Sequence, residues 1–263
     1  MKSANPWTAF RAVLAHRFER SGSRSYVARS GGTLIEIRPS AWIVAPSMIS
    51  EALPPVRLAG RTLSKHRHIC AFFHSKEEEN KVLMPFLKEG FDRGEKIFKI
   101  VDGKHRDEHL NECSSCGLET SALESGQMEV RTWEEAYLRD GYFDGDRMVQ
   151  ILKDVITAAR EKYGRTRLVG NMEWALEAVP GVTDIVEYET KLNYVLPKFS
   201  DPVVCVYDLN KHSGSVVMDI LRTHPMVIIG GVLQENPLYV PPDEFLVELK
   251  SRRARRGEQL AHN

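Results

Sequence analysis

Between positions 68 and 229 short apolar runs alternate with segments whose apolar residues recur every three or four positions. The runs at 68–73, 96–101, 127–132, 168–172, 203–207 and 226–229 predict strands. The periodic segments at 76–91, 104–116, 148–159, 182–196 and from Ser213 or Gly214 to about His224 predict helices. Strand and helix in alternation imply parallel βαβ units, hence an α/β domain with a mostly parallel sheet and helices on both faces. The helix over 148–159 has the clearest stripe, formed by Met148, Ile151, Leu152, Val155, Ile156 and Ala159. Pro85 is expected to kink the first helix, and the unbroken apolar run at 203–207 reads as a strand covered on both faces.

The helix over 182–196 departs from a simple amphipathic pattern in one place. Ile185, Glu189, Leu192 and Leu196 fall at i, i+4, i+7 and i+11, which sets Glu189 on the apolar stripe. A carboxylate there must be paired, hydrogen-bonded or protonated, so Glu189 is either a structural anchor or a member of a site. Glu173 and Asp208 stand at the C-terminal ends of predicted strands, where open α/β sheets hold their ligands.

Before His66 the periodicity lapses and the charge changes. Residues 1–65 carry 10 basic and 3 acidic side chains, a net +7; residues 66–249 carry 21 and 32, a net −11; residues 250–263 carry 5 and 1, a net +4. These shifts place the domain at 66–243. Residues 1–65 are then a flexible basic N-terminal extension in which TLIEIRPSAWIV has the pattern of an isolated strand, and 244–263 a basic C-terminal helix or tail. The acidic middle argues against direct nucleic-acid binding by the domain, since phosphate contacts need a basic face. Four cysteines are too few and too irregular for a disulfide framework, and no apolar run suits a membrane span or a secretory leader. Reduced thiols, a cytoplasmic location and no membrane partner are expected.

The loop after the first strand reads His74-Ser75-Lys76-Glu77-Glu78-Glu79, with acids where a phosphate-binding loop needs glycines and a lysine. GxxxxGK[ST], GxSxG, HExxH and GxGxxG are all absent, which disfavours the common nucleotide, hydrolase and zinc-protease chemistries. His68 and Cys70, two apart on a strand, face the same way, a placement that suits a shared ligand as readily as an ordinary core. His105, His109, Cys113 and Cys116 resemble a metal cluster in composition. Eight helical residues, however, rise roughly 12 Å, too far for one ion whose bonds are roughly 2.0–2.3 Å. A smaller set of His109, Cys113 and Cys116 requires the helix to end at Cys113. No metal ligands are assigned, and no cofactor is expected.

The ordered motifs HxCxFF, GFDRGEKIFKIVD, YLRDGYFD, RLVGNMEWAL, YETKLN, CVYDLN and THPMVIIGG resemble the MEDS domain, the methanogen and methylotroph sensory domain, over about residues 66–240. The resemblance implies a three-layer RecA-like fold, related to circadian-clock ATPases, with a degenerate phosphate-binding loop. It also implies prokaryotic signal transduction in which a small hydrocarbon derivative is sensed. Residues 244–263 are too short for an output domain, so output is expected through a signalling partner such as a histidine kinase or a transcription regulator. The polar positions carried over are His68, Cys70, Glu173, Tyr188, Glu189, Asn193, Cys205, Tyr207, Asp208 and His224. With Trp174 of RLVGNMEWAL they are expected to line a ligand pocket above the strand ends. The alternative is an enzyme with residual nucleotide-handling or metal-assisted activity, using Glu173 and Glu189 as acid and base.

Overall fold

A computed structural model of the chain describes residues 26–30, 33–37, 53–119 and 121–261, which fall into two units, Met1–Ala52 and Leu53–Asn263. In the first unit β1 (Tyr26–Ser30) and β2 (Thr33–Ile37) pair antiparallel, with Tyr26 opposite Ile37 and Ser30 opposite Thr33. The TLIEI strand therefore has a partner. The other positions of the expected N-terminal extension up to residue 52 lie outside the described residues.

The second unit starts at Leu53, ahead of the boundary read at His66. A small hairpin of β3 (Arg57–Leu58) and β4 (Arg61–Thr62) precedes the domain's first long strand, and Val56, Leu58 and Leu63 are buried in the core it caps. Strands of two residues have no period to read, which is why the hydropathy pattern starts later than the fold does.

From there the chain runs β5 (His68–Phe73), α1 (Lys76–Asp92), β6 (Lys96–Val101), α2 (Arg106–Ser115), α3 (Ser121–Ser125), β7 (Met128–Thr132), α4 (Gly145–Tyr163) and β8 (Thr166–Asn171). It continues through α5 (Ile185–Val195), β9 (Val203–Asp208), α6 (Gly214–Thr223), β10 (Met226–Ile229), β11 (Val232–Glu235) and α7 (Pro242–Ala261). Seven strands form one sheet in the order β11-β10-β5-β9-β8-β6-β7, parallel except for the antiparallel β10–β11 edge. The domain is an α/β fold with helices on both faces. β11 was not legible in the sequence: it is a four-residue return after Gly230 and Gly231, both at positive φ, with only Leu233 buried. α1 runs through Pro85, which stands on its exposed side.

Alternation along the strands sends side chains to two cores. Cys70, Phe72, Phe98, Ile100, Leu168, Val203, Cys205 and Tyr207 pack against α4, α5 and α6. Ile69, Ala71, Phe73, Ile97, Val101, Val169, Val204 and Val206 pack against α1, α2 and the β3–β4 hairpin. The stripe read on α4 is the face it buries, through Met148, Leu152, Ile156 and Ala159; Asp144 caps its start and Gly164, at φ 68°, ends it.

The entry ends of the strands hold a buried ionic network. Glu95 receives Arg165 Nη1 at 2.7 Å on one carboxylate oxygen and Arg167 Nε at 2.6 Å on the other, and Arg167 Nη1 also reaches Glu89 at 3.0 Å. Nearby, Asp201 accepts the Thr166 amide at 2.6 Å, and burial raises its carboxyl from 3.8 to about 6 despite the opposing pull of Arg160 and Arg165. A carboxyl whose folded pKa is raised binds its proton more tightly folded than unfolded. Its favourable contribution is complete below pH 3.8 and is lost as pH climbs to about 6. Asp201→Asn keeps the acceptor and drops the charge, so it is expected to stabilise the domain by about 1–3 kcal/mol at pH 7.5 and by almost nothing near pH 4. Urea unfolding of both proteins at the two pH values checks this; a variant less stable at pH 7.5 would mean that the ionised form is the anchored one.

Candidate functional site

α5 lies across the sheet and turns Glu189, which is completely buried, onto β5 and β9. Three segments converge on it. β5 opens with His68, whose Nε2 is 3.0 Å from Glu189 Oε2. β9 supplies Cys205, with Sγ 3.6 Å from Glu189 Oε2 and 3.7 Å from His68 Nε2, and Tyr207, whose hydroxyl donates to Glu189 Oε1 at 3.0 Å. His224, the residue that ends α6, brings its Nε2 to 3.4 Å from Glu189 Oε2 without forming a hydrogen bond, and its ring lies 3.9 Å from that of His68.

Both histidines are oriented from outside the cluster. Asn193, one turn after Glu189, directs Nδ2 at the carbonyls of Thr223 (2.7 Å), Glu189 (3.2 Å) and Thr190 (3.3 Å). Its Oδ1 therefore faces His68 Nδ1 at 3.1 Å and accepts that N–H. His224 Nδ1 lies 3.0 Å from the Ile220 carbonyl and 2.7 Å from Thr223 Oγ1, so it too is the donor nitrogen. Each Nε2 is left pointing inward.

Burial pushes the Glu189 carboxyl up, but the nearby His224 and His68 rings outweigh it and hold the group well below the usual carboxylate range. Burial, followed by the charge of His224, pushes His68 down. Burial and then the Glu189 charge raise the Cys205 thiol and the Tyr207 hydroxyl well above their ordinary values, which leaves both as donors.

Of the residues picked out in the sequence, His68, Glu189, Asn193, Cys205, Tyr207 and His224 come together here. Cys70 sits on the same sheet face, its Sγ 3.7 Å from the Met226 carbonyl. Trp174 and Tyr188 belong to an adjoining aromatic group, with Tyr137 stacked on Trp174 at 4.6 Å and Phe143 meeting Tyr188 edge-on at 5.4 Å. The buried Trp174 Nε1 has no partner. Glu173 and Asp208 lie elsewhere, at the exit ends of β8 and β9, both paired with Lys211, at 2.9 and 3.7 Å. Glu173 and Glu189 thus have different partners. The cluster itself lies under α5, between helix and sheet, and not above the strand ends.

Tyr137 was missed although it lies within YLRDGYFD. The signal was Gly170 on β8, where a β-carbon would stand 2.5 Å from the Tyr137 hydroxyl. The histidine–cysteine group on α2 has another explanation: His109 Nδ1 faces Lys76 Nζ at 3.1 Å and Lys99 Nζ at 3.5 Å, so ammonium groups occupy the side an ion would need. Burial, with help from Lys99 and Lys76, lowers His109 to about 2.

After β5 the loop is closed upon itself. Ser75 Oγ takes the Glu78 amide at 3.2 Å, and Glu78 Oε2 takes the His74 amide at 2.9 Å, leaving carboxylates where a phosphate would meet free N–H groups. ATP with magnesium is expected not to bind at micromolar concentrations, as calorimetry would show; micromolar affinity would refute this reading of the loop. A groove of about 730 Å³ lies on the other side of the sheet, along α1 and the β3–β4 hairpin, and includes none of the cluster residues. Among the described residues no helix is long and apolar enough to cross a membrane.

Residues 67–225 match the family model of MEDS, the MEthanogen/methylotroph, DcmR Sensory domain. The transcriptional repressor DcmR of Methylorubrum extorquens is 25% identical over 223 residues, covering 80% of this chain and 76% of the repressor. Among solved structures, the flagellar accessory protein FlaH from Methanocaldococcus jannaschii is similar at 16% identity with a TM-score of 0.41, over 64% of this chain and 75% of that one.

Proposed function

Since the chain belongs to the MEDS family of sensory domains, we propose that it is a regulatory sensor whose responding element is the buried cluster around Glu189. The supporting observation is a fully buried polar array placed under one helix. Such an array is a poor choice for stability alone, because apolar packing of the same volume is generally at least as stable. α5 also faces outward onto α7: Arg253 pairs with Asp184 at 2.9 Å and with Glu187 at 2.7 Å, and Tyr194 hydrogen-bonds to Asp243. A change in what Glu189 holds shifts α5, and α5 bears on α7. A transcriptional or kinase partner reading α7 fits the sequence similarity to a repressor, and a small hydrocarbon derivative fits the apolar and aromatic surroundings of the cluster.

The test is hydrogen exchange of the whole chain with and without short halogenated and oxygenated hydrocarbons. The expected result is slowed exchange in α5 and α7 together with a raised thermal midpoint. Unchanged exchange and midpoint across the set would remove the small-molecule reading.

A further inference from the structure

We propose that His68, Glu189, Cys205 and His224 form a tetrahedral binding site for one divalent transition-metal ion of the zinc type. The proposal rests on the reading of this cluster as the domain's functional centre, and it concerns what the cluster binds.

The donor atoms lie close to the spacing of a coordination tetrahedron, with the His68–Glu189 separation shorter than the ideal edge. An ion with bonds of roughly 2.0–2.3 Å needs its ligand atoms roughly 3.3–3.8 Å apart. The observed separations are 3.0 Å for His68 Nε2 to Glu189 Oε2, 3.4 Å for His224 Nε2 to Glu189 Oε2, 3.6 Å for Cys205 Sγ to Glu189 Oε2 and 3.7 Å for Cys205 Sγ to His68 Nε2. All donor atoms lie within 4.8 Å of one another. The buried Nε2 of His224 has no hydrogen-bond partner and points at the others. An unmatched nitrogen in a fully buried place is a loss for a structural network, and bonding to an ion removes that loss.

The surroundings are those a bound metal requires. Each histidine gives its Nδ1–H to an outer acceptor, His68 to Asn193 Oδ1 and His224 to the Ile220 carbonyl or Thr223 Oγ1, and so presents Nε2 inward. Tyr207 holds Oε1 of Glu189 and leaves Oε2 for the ion. One thiolate, one carboxylate and two neutral imidazoles balance a charge of +2, which suits a site without access to water. Two nitrogens, a sulfur and an oxygen favour zinc-like ions over calcium or magnesium, which take oxygen alone.

The test uses the full chain with Zn2+ and Co2+ as probes. Elemental analysis after dialysis against Zn2+ should give about one zinc per chain. Co2+ should produce intense visible bands of tetrahedral cobalt and a near-ultraviolet thiolate band. Cys205→Ser should abolish the thiolate band, and Asn193→Ala, which frees the His68 ring, should weaken zinc binding about 10–100-fold. Circular dichroism confirms that each variant is folded, and Cys116→Ser, at the exposed cysteine, should leave stoichiometry and spectrum unchanged. Folded wild-type protein that takes up neither ion would overturn the proposal, as would a thiolate band that survives in Cys205→Ser. Failure here leaves the sensor reading to its exchange test, and a metal-loaded protein without any ligand response would count against the sensor reading alone.

Discussion

Glu95→Ala should destabilise the domain by about 3–5 kcal/mol, or prevent its folding, although it touches no part of the proposed site. The carboxylate serves two guanidinium groups at once, and Arg165 and Arg167 are both fully enclosed. Without it Arg165 keeps the Pro54 carbonyl and Arg167 keeps Glu89 and the Phe86 carbonyl, which leaves two buried cations side by side with too few acceptors. Arg167 Nη2 and Arg165 Nε already have no partner. Replacing Glu95, Arg165 and Arg167 together by Met should recover most of the loss, because an absent network is less harmful than a broken one. Urea denaturation of the single and triple variants decides it; a loss below about 1 kcal/mol for Glu95→Ala would show that water reaches these groups.

The second large effect separates size from charge at Glu189. Glu189→Ala removes the acceptor of Tyr207 and the neighbour of His68 and opens a cavity, and about 3–5 kcal/mol of destabilisation is expected. Glu189→Gln fills the same space and keeps an oxygen for Tyr207. Its stability should stay within about 1 kcal/mol of the parent while any ligand response disappears. Denaturation beside the exchange assay is the measurement. A loss above 3 kcal/mol for Glu189→Gln, with the response per folded molecule intact, would make Glu189 a structural anchor.

Much of this architecture is legible from periodicity. The stripe on α4 and the unbroken runs of β5 and β9 are patterns that burial on one or both faces requires. Glu189 stood out because it interrupted an apolar stripe, and that interruption led to the cluster. The convergence of His68, Cys205 and His224 upon it was not legible as geometry, since strand order places β9 beside β5 although α1 to α5 lie between them in sequence. The strand-end position given to the pocket came from a general property of open sheets, whereas the cluster lies under α5 and the exit ends of β8 and β9 carry the Lys211 pairs. Glu95, Arg165 and Arg167 drew no attention because charged residues at strand starts usually meet solvent. Lys99, a cation inside an apolar strand, carried the same kind of signal as Glu189 and was not read.

The separations within the cluster bear on when it can exist. The contact between His68 and Glu189 closes 121 residues of chain, and that between His68 and Cys205 closes 137. Contacts so distant form only after the intervening strands and helices have met, so they belong to the late, slow part of folding. On a growing polypeptide the first ligand emerges long before the last, and His68 waits beside unfinished sheet until His224 has been made. The cluster is thus a property of the finished domain: a locally unfolded chain carries all of its residues and none of its geometry.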